Sequence, residues 1–190
     1  MKHYDIDQDM RYLQLLSQSF PTVAEASTEI INLQAILNLP KGTEHFLADI
    51  HGEYEAFQHV LKNASGNIKR KVNELFGTTL REQEKRELCT LIYYPEEKLE
   101  LVKQNEPDIN DWYHITLHQL VAVCRDVSSK YTRSKVRKSL PTDFSYIIQE
   151  LLHERTDDHD KAAYVNVIVD TIISTGRADD FIIAIANVIQ

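Results

Sequence analysis

An aspartate and a histidine stand one residue apart in Asp49-Ile50-His51, and Gly52 and Glu53 follow them. The pair closes a short, mostly apolar run from Glu44 to Ile50, bounded by Gly42 and Gly52, which predicts a buried β-strand over about 44–50. Strand side chains repeat with period two, so Asp49 and His51 should emerge on one side at the strand's end. A carboxylate and an imidazole held together suit manganese, iron or zinc. Gly52 would let the backbone approach a phosphate where the next helix begins, and Glu53 stands where it could orient His51 or a metal-bound water. The structural alternative is that Asp49 caps the following helix while His51 sits in a hydrogen-bond network. Four residues do not decide between the two, but a strand before and a helix after favour the metal site.

Other groups carry weaker signals. His114 and His118 lie one helical turn apart, as helix-borne zinc ligands do, but Ile115 stands where the protease version needs Glu, so two surface or hydrogen-bonded histidines are expected. Asp157-Asp158-His159-Asp160 could hold a cation, although acidic residues are ordinary at a helix start. Lys130, Arg133, Lys135, Arg137 and Lys138 form a basic cluster, and Lys69-Arg70-Lys71 a smaller one. A solvated helix face is the plain reading; the chemical one is an anion pocket built from Lys130, Arg133, Lys135 and Arg137. Asp and Glu number 29 against 21 Lys and Arg, a formal net charge of −8, so the chain as a whole repels nucleic acid and anionic membranes. Neither is expected as a partner.

The elements that must hold these residues are mostly helical. Hydrophobic residues at 43% and charged residues at 26% of 190 match a chain that packs a core. Leu13, Leu16 and Phe20, then Ala24, Ile31, Leu33, Ile36 and Leu37, recur at helical spacing up to about Asn38, ahead of Pro40 and Gly42. After Gly52 the helical pattern returns with Tyr54, Phe57, Val60 and Leu61, and again through Ile68, Val72, Leu75 and Phe76. Pro95 should separate two helices, and a helix over about 112–131 should bury Leu117, Leu120, Val121 and Cys124. Phe144, Ile147, Ile148, Leu151 and Leu152 form a further stripe. Residues 179–190 are apolar on nearly every side, which demands burial all round and suggests a polypeptide that continues. Cys89 and Cys124 lack the close spacing of a zinc or redox motif and are expected in the core of a cytoplasmic protein. No stretch approaches the roughly 18 apolar residues of a membrane span.

Asp49-x-His51-Gly52 resembles the first motif of the calcineurin-like metallophosphatases. The segment from Ala26 to Phe46, Glu53-Tyr54-Glu55-Ala56-Phe57, Leu91 to Leu99 and Arg125 to Lys135 narrow the resemblance to class III fructose-1,6-bisphosphatase, over essentially the whole chain. The resemblance implies the N-terminal region of a longer enzyme that hydrolyses fructose 1,6-bisphosphate to fructose 6-phosphate and phosphate, a step of gluconeogenesis. It also implies manganese in a dinuclear site, with Asp49 and His51 holding one ion and the ions lowering the pKa of a water for in-line attack. The expected fold is mainly α within this chain, its single strand joining the sheet of a larger α/β metallophosphatase. Its parts are a helical lead-in over 1–43, strand, turn and helix over 44–62, and a helical region over 63–190.

The family's later motifs, Gly-Asp and Gly-Asn-His, are missing, for the five glycines precede Thr43, Glu53, Asn67, Thr78 and Arg177. Ile68 stands where the histidine after Gly66-Asn67 should be. The resemblance therefore implies a C-terminal remainder that completes the metal site, and a 190-residue chain inactive by itself. The rival reading is a self-contained helical interaction module in which Asp49 and His51 are structural. Oligomeric state is left open.

Overall fold

The computed structural model describes residues 6–39, 44–63, 65–153 and 159–190, and every regular element among them is helical. In chain order these are α1 (Ile6–Ser19), α2 (Val23–Ile36), α3 (Tyr54–Asn63), α4 (Asn67–Phe76), α5 (Glu82–Tyr93), α6 (Pro95–Asn105), α7 (Ile109–Ser128), α8 (Arg133–Ser139), a 3₁₀ turn (Thr142–Phe144), α9 (Ser145–His153), α10 (His159–Ser174) and α11 (Ala178–Ile189). They fall into two compact units, Met1–Lys41 and Gly42–Gln190.

In the first unit, α2 starts on a reciprocal cap. The Thr22 hydroxyl accepts from the Glu25 amide at 3.2 Å, and the Glu25 carboxylate accepts from the Thr22 amide at 3.1 Å, so two otherwise orphaned donors are satisfied. None of its described residues is buried, and Ile30, Ile31, Leu33 and Ile36 are all exposed.

The second unit is built on α7, which packs against α4, α9, α10 and α11, while α5 packs against α4, α6 and α11. Leu117, Leu120, Val121 and Cys124 are buried, the face that helical periodicity predicts. Tyr93 ends α5 and Pro95 opens α6, because proline suits the first turn of a helix and not its interior. The apolar helix α11 is housed within the chain, with Phe181, Ile182, Ile185, Ala186 and Ile189 buried. Gln190 donates from Nε2 to the Ile92 carbonyl at 2.6 Å. No helix among the described residues is long and apolar enough to cross a membrane.

The expected buried strand over 44–50 is not found. The segment is irregular, and Phe46 to Ile50 are exposed, Phe46 to 90%. A strand satisfies its amides and carbonyls only against a neighbouring strand, and the described residues offer none, so the apolar run stays in solvent.

One polar junction ties three helices together. Tyr113 of α7 donates to Asp179 Oδ1 at 2.5 Å and Lys103 of α6 donates to Oδ2 at 2.8 Å, at the start of α11. Burial opposes the ionisation of Asp179, but the hydrogen bonds from Lys103 and Tyr113 outweigh it and hold the carboxyl below its usual range. The folded state therefore binds this proton more weakly than the unfolded chain does, so the stabilisation is present above the ordinary Asp value of about 3.9 and is lost as the pH falls through the folded value. Melting temperatures followed from pH 7 to pH 3 should fall more steeply below about pH 4 for the parent chain than for Asp179→Asn. Parallel curves would remove Asp179 as the cause.

Candidate functional site

The Asp49-His51 segment is carried on a tight turn in front of α3. The Glu53 amide donates to the Ile50 carbonyl at 3.0 Å and the Tyr54 amide to the Gly52 carbonyl at 2.9 Å. Both central residues are left-handed, His51 with φ 54° and Gly52 with φ 76°, the signature of a type I′ turn. Glycine adopts this geometry freely, whereas for histidine it is uncommon and carries strain of about 1–2 kcal/mol. A Cβ added at Gly52 would meet open space, so among protein contacts the positive φ is what favours glycine there.

The turn hangs from an anchored helix. His59 Nδ1 and the Tyr94 hydroxyl share a hydrogen bond, and Asn63 Nδ2 donates to the same hydroxyl at 3.1 Å. Lys62 donates to the Tyr93 carbonyl at 3.1 Å and lies 5.3 Å from the centre of the Tyr94 ring. Three residues of α3 thus grip the junction between α5 and α6, and the turn projects from the helix's free end.

Within the turn, Asp49 Oδ2 and His51 Nε2 lie 3.8 Å apart, with side chains 86% and 79% exposed. The pair does share a side, as period-two spacing predicts, although a turn and not a strand brings it about. Two donors of these types at this separation fit a divalent ion with bonds of about 2.0–2.2 Å after a small side-chain rotation. Two donors do not complete a metal site, and no group of three or more His, Cys, Asp or Glu that could hold a metal exists among the described residues. Glu53 is exposed at the start of α3, and the carboxylate that pairs with His51 is Asp49.

The other sequence signals separate in space. The rings of His114 and His118 lie 4.8 Å apart, and His114 Nε2 is 3.6 Å from Asp170 Oδ1. Burial and the neighbouring His114 lower the His118 pKa, which leaves that ring neutral near pH 7. Asp157 and Asp158 lie outside the described residues. Burial raises the Cys124 thiol to about 11 and raises Cys89 as well, so neither offers a ready thiolate nucleophile.

Of the basic cluster, Arg133 lines a cavity of about 270 Å³. Lys130 and Lys135 place their ammonium groups 5.0 and 5.1 Å from the Tyr131 ring centre, and Arg137 is exposed on α8. Arg125 and His153 line the same cavity and were not among the residues expected there. Arg125 stands five residues before the cluster and His153 comes from α9, so only the packing of α9 on α7 brings them in.

The model of the Firmicute fructose-1,6-bisphosphatase family matches residues 11–190. A fructose-1,6-bisphosphatase class 3 of Phocaeicola vulgatus is 78% identical over 185 residues, 97% of this chain and 28% of that protein. One from Bacteroides fragilis is 79% identical over 182 residues, 96% of this chain and 27% of the relative. One from Clostridium botulinum is 64% identical over 185 residues, with 97% and 28% covered. The chain thus spans a little over a quarter of the length of the curated relatives it matches. No solved structure matches it.

Proposed function

The chain belongs to the Firmicute fructose-1,6-bisphosphatase family, and from that membership we propose that it is the N-terminal region of a longer cytoplasmic enzyme of gluconeogenesis that hydrolyses fructose 1,6-bisphosphate to fructose 6-phosphate and phosphate. The observation that carries the reading is 78% identity to a curated class 3 enzyme across 97% of this chain. The local geometry is consistent with it, since Asp49 and His51 sit together, exposed, on a strained turn, and strain of this kind concentrates at functional sites.

In this reading Asp49 and His51 hold one manganese ion of a dinuclear centre, and the remaining ligands come from the C-terminal remainder. Bound divalent ions stabilise charge on phosphoryl oxygens and lower the pKa of a coordinated water. The role of this chain's residues is to supply one carboxylate and one imidazole at a fixed separation. Gly52 keeps the turn left-handed, and Glu53 leads directly into the helix that anchors it. The exposed run from Phe46 to Ile50 becomes a buried strand by pairing with the sheet of the larger α/β protein, which supplies the missing ladder.

A self-contained helical module is the second reading, favoured by the burial of α11 within the chain. Phosphate release from fructose 1,6-bisphosphate with added manganese separates the two. A protein of the relatives' full length should turn over the substrate and the 190-residue chain should not. A full-length protein without activity would overturn the phosphatase reading, and activity in the short chain would overturn the shared metal site.

A further inference from the structure

The 125–138 stretch departs from the character of the rest of the chain. It carries Arg125, Lys130, Arg133, Lys135, Arg137 and Lys138 against one acid, Asp126, in a protein whose formal net charge is −8. That acid is taken, since Lys71 holds its carboxylate at 2.9 Å from the opposite direction in sequence. The described residues that line the cavity of about 270 Å³ beside this stretch include Arg125, Ser128, Tyr131, Arg133, Leu152 and His153, and none of these described residues carries a carboxylate. Its apolar base is Val136 and Leu152, both buried.

We propose that this cavity between the end of α7, the start of α8 and the last turn of α9 binds the phosphate group of a small phosphate monoester. Each wall has a distinct contribution. Arg125 is half-buried and held in place by its own hydrogen bond, Nη2 to the Leu151 carbonyl at 2.6 Å, so little side-chain entropy is left to lose on binding. Arg133 is exposed at the mouth and supplies the planar fork that matches phosphate oxygens in a bidentate manner. Ser128 offers a hydroxyl donor, whereas the Ser129 hydroxyl already donates to the Asp126 carbonyl at 2.7 Å. Lys130 and Lys135 flank the Tyr131 ring and add positive potential without entering the cavity's lining.

Size selects the class of ligand. At about 270 Å³ the cavity lies just under the roughly 300–1,000 Å³ of sites for drug-sized molecules, which suits a phosphate with a few carbons attached. A nucleic acid would instead need a groove or an extended basic face that tracks its backbone, and the chain's overall charge opposes one.

Titration calorimetry of the 190-residue chain with glycerol 3-phosphate at about 0.15 M salt, where charges outside the cavity are screened within about 8 Å, tests this directly, with glycerol as the uncharged comparison. Saturable binding of the phosphate ester and none of glycerol is the expected result. Arg133→Ala should weaken it roughly tenfold or more, as loss of a charge-assisted pair does, while Arg137→Ala, on the same helix and outside the lining, should change it by less than about twofold. Three results would overturn the proposal: no saturable binding at millimolar glycerol 3-phosphate, equal loss in the two arginine variants, or stronger binding of a single-stranded oligonucleotide with a steep salt dependence. The measurement involves neither metal nor turnover, so its failure leaves the phosphatase reading untouched.

Discussion

Asparagine at position 49 of the longer protein should lower manganese-dependent phosphate release from fructose 1,6-bisphosphate by about 100-fold or more. Loss of a group that merely supports a metal ligand already reduces affinity or activity roughly 10- to 100-fold, and Asp49→Asn removes a charged donor itself. The substitution keeps the volume and changes the charge. In the 190-residue chain, where the Asp49 side chain is 86% exposed, stability should stay within about 0.5 kcal/mol of the parent, and a melting curve of the longer variant separates a loss of turnover from unfolding. A manganese titration adds a readout that a structural role would not move: the variant should require more metal for half-maximal rate. His51→Gly is the sharper companion, since glycine accepts the left-handed φ of 54° and removes only the imidazole. Wild-type turnover in either variant would show that the two residues are not metal ligands.

How far the chain could be read without its structure depends on where each signal's partner lies. The stripes of α7 and α9, and the all-round apolar character of α11, are legible because their burial is met inside the chain: Leu120 and Ile148 are fully buried, as are Phe181 and Ile185. The run from Glu44 to Ile50 carries the same kind of apolar signal, yet it is irregular and exposed. Apolar pattern reports a demand for burial and does not say which chain supplies it. Asp49 and His51 lie close together, but the agent is a turn with two left-handed residues and not the period of a strand. The phosphate-sized cavity was half legible. Lys130, Arg133 and Lys135 cluster in sequence, but 28 positions separate Arg125 from His153, and no spacing rule joins an arginine on one helix to a histidine ending another.

The largest expected effect on stability belongs to α11. Phe181 is fully buried at 0% exposure, among the bulkiest of the chain's enclosed side chains, and its ring meets that of Phe144 edge to face, with centroids 5.2 Å apart and planes at 82°. Arg177 lies over the other ring, 4.9 Å from its centre, so the helix start, the 3₁₀ turn and the core share one contact set. Phe181→Ala removes the transfer energy of the ring and leaves a cavity that α5, α6, α7 and α10 cannot close without moving, since all of them pack on α11. The expected loss is about 3–5 kcal/mol, a large part of the roughly 5–15 kcal/mol that holds a typical domain folded. Urea denaturation of the 190-residue chain measures it as a fall in midpoint at unchanged slope. Tyr146→Ala, at a side chain 70% exposed on α9, sets the scale of a surface change and should shift stability by less than about 0.5 kcal/mol. If Phe181→Ala were equally mild, α11 would not be the centre of the core. The burial of the most apolar helix would then require a partner from outside this chain.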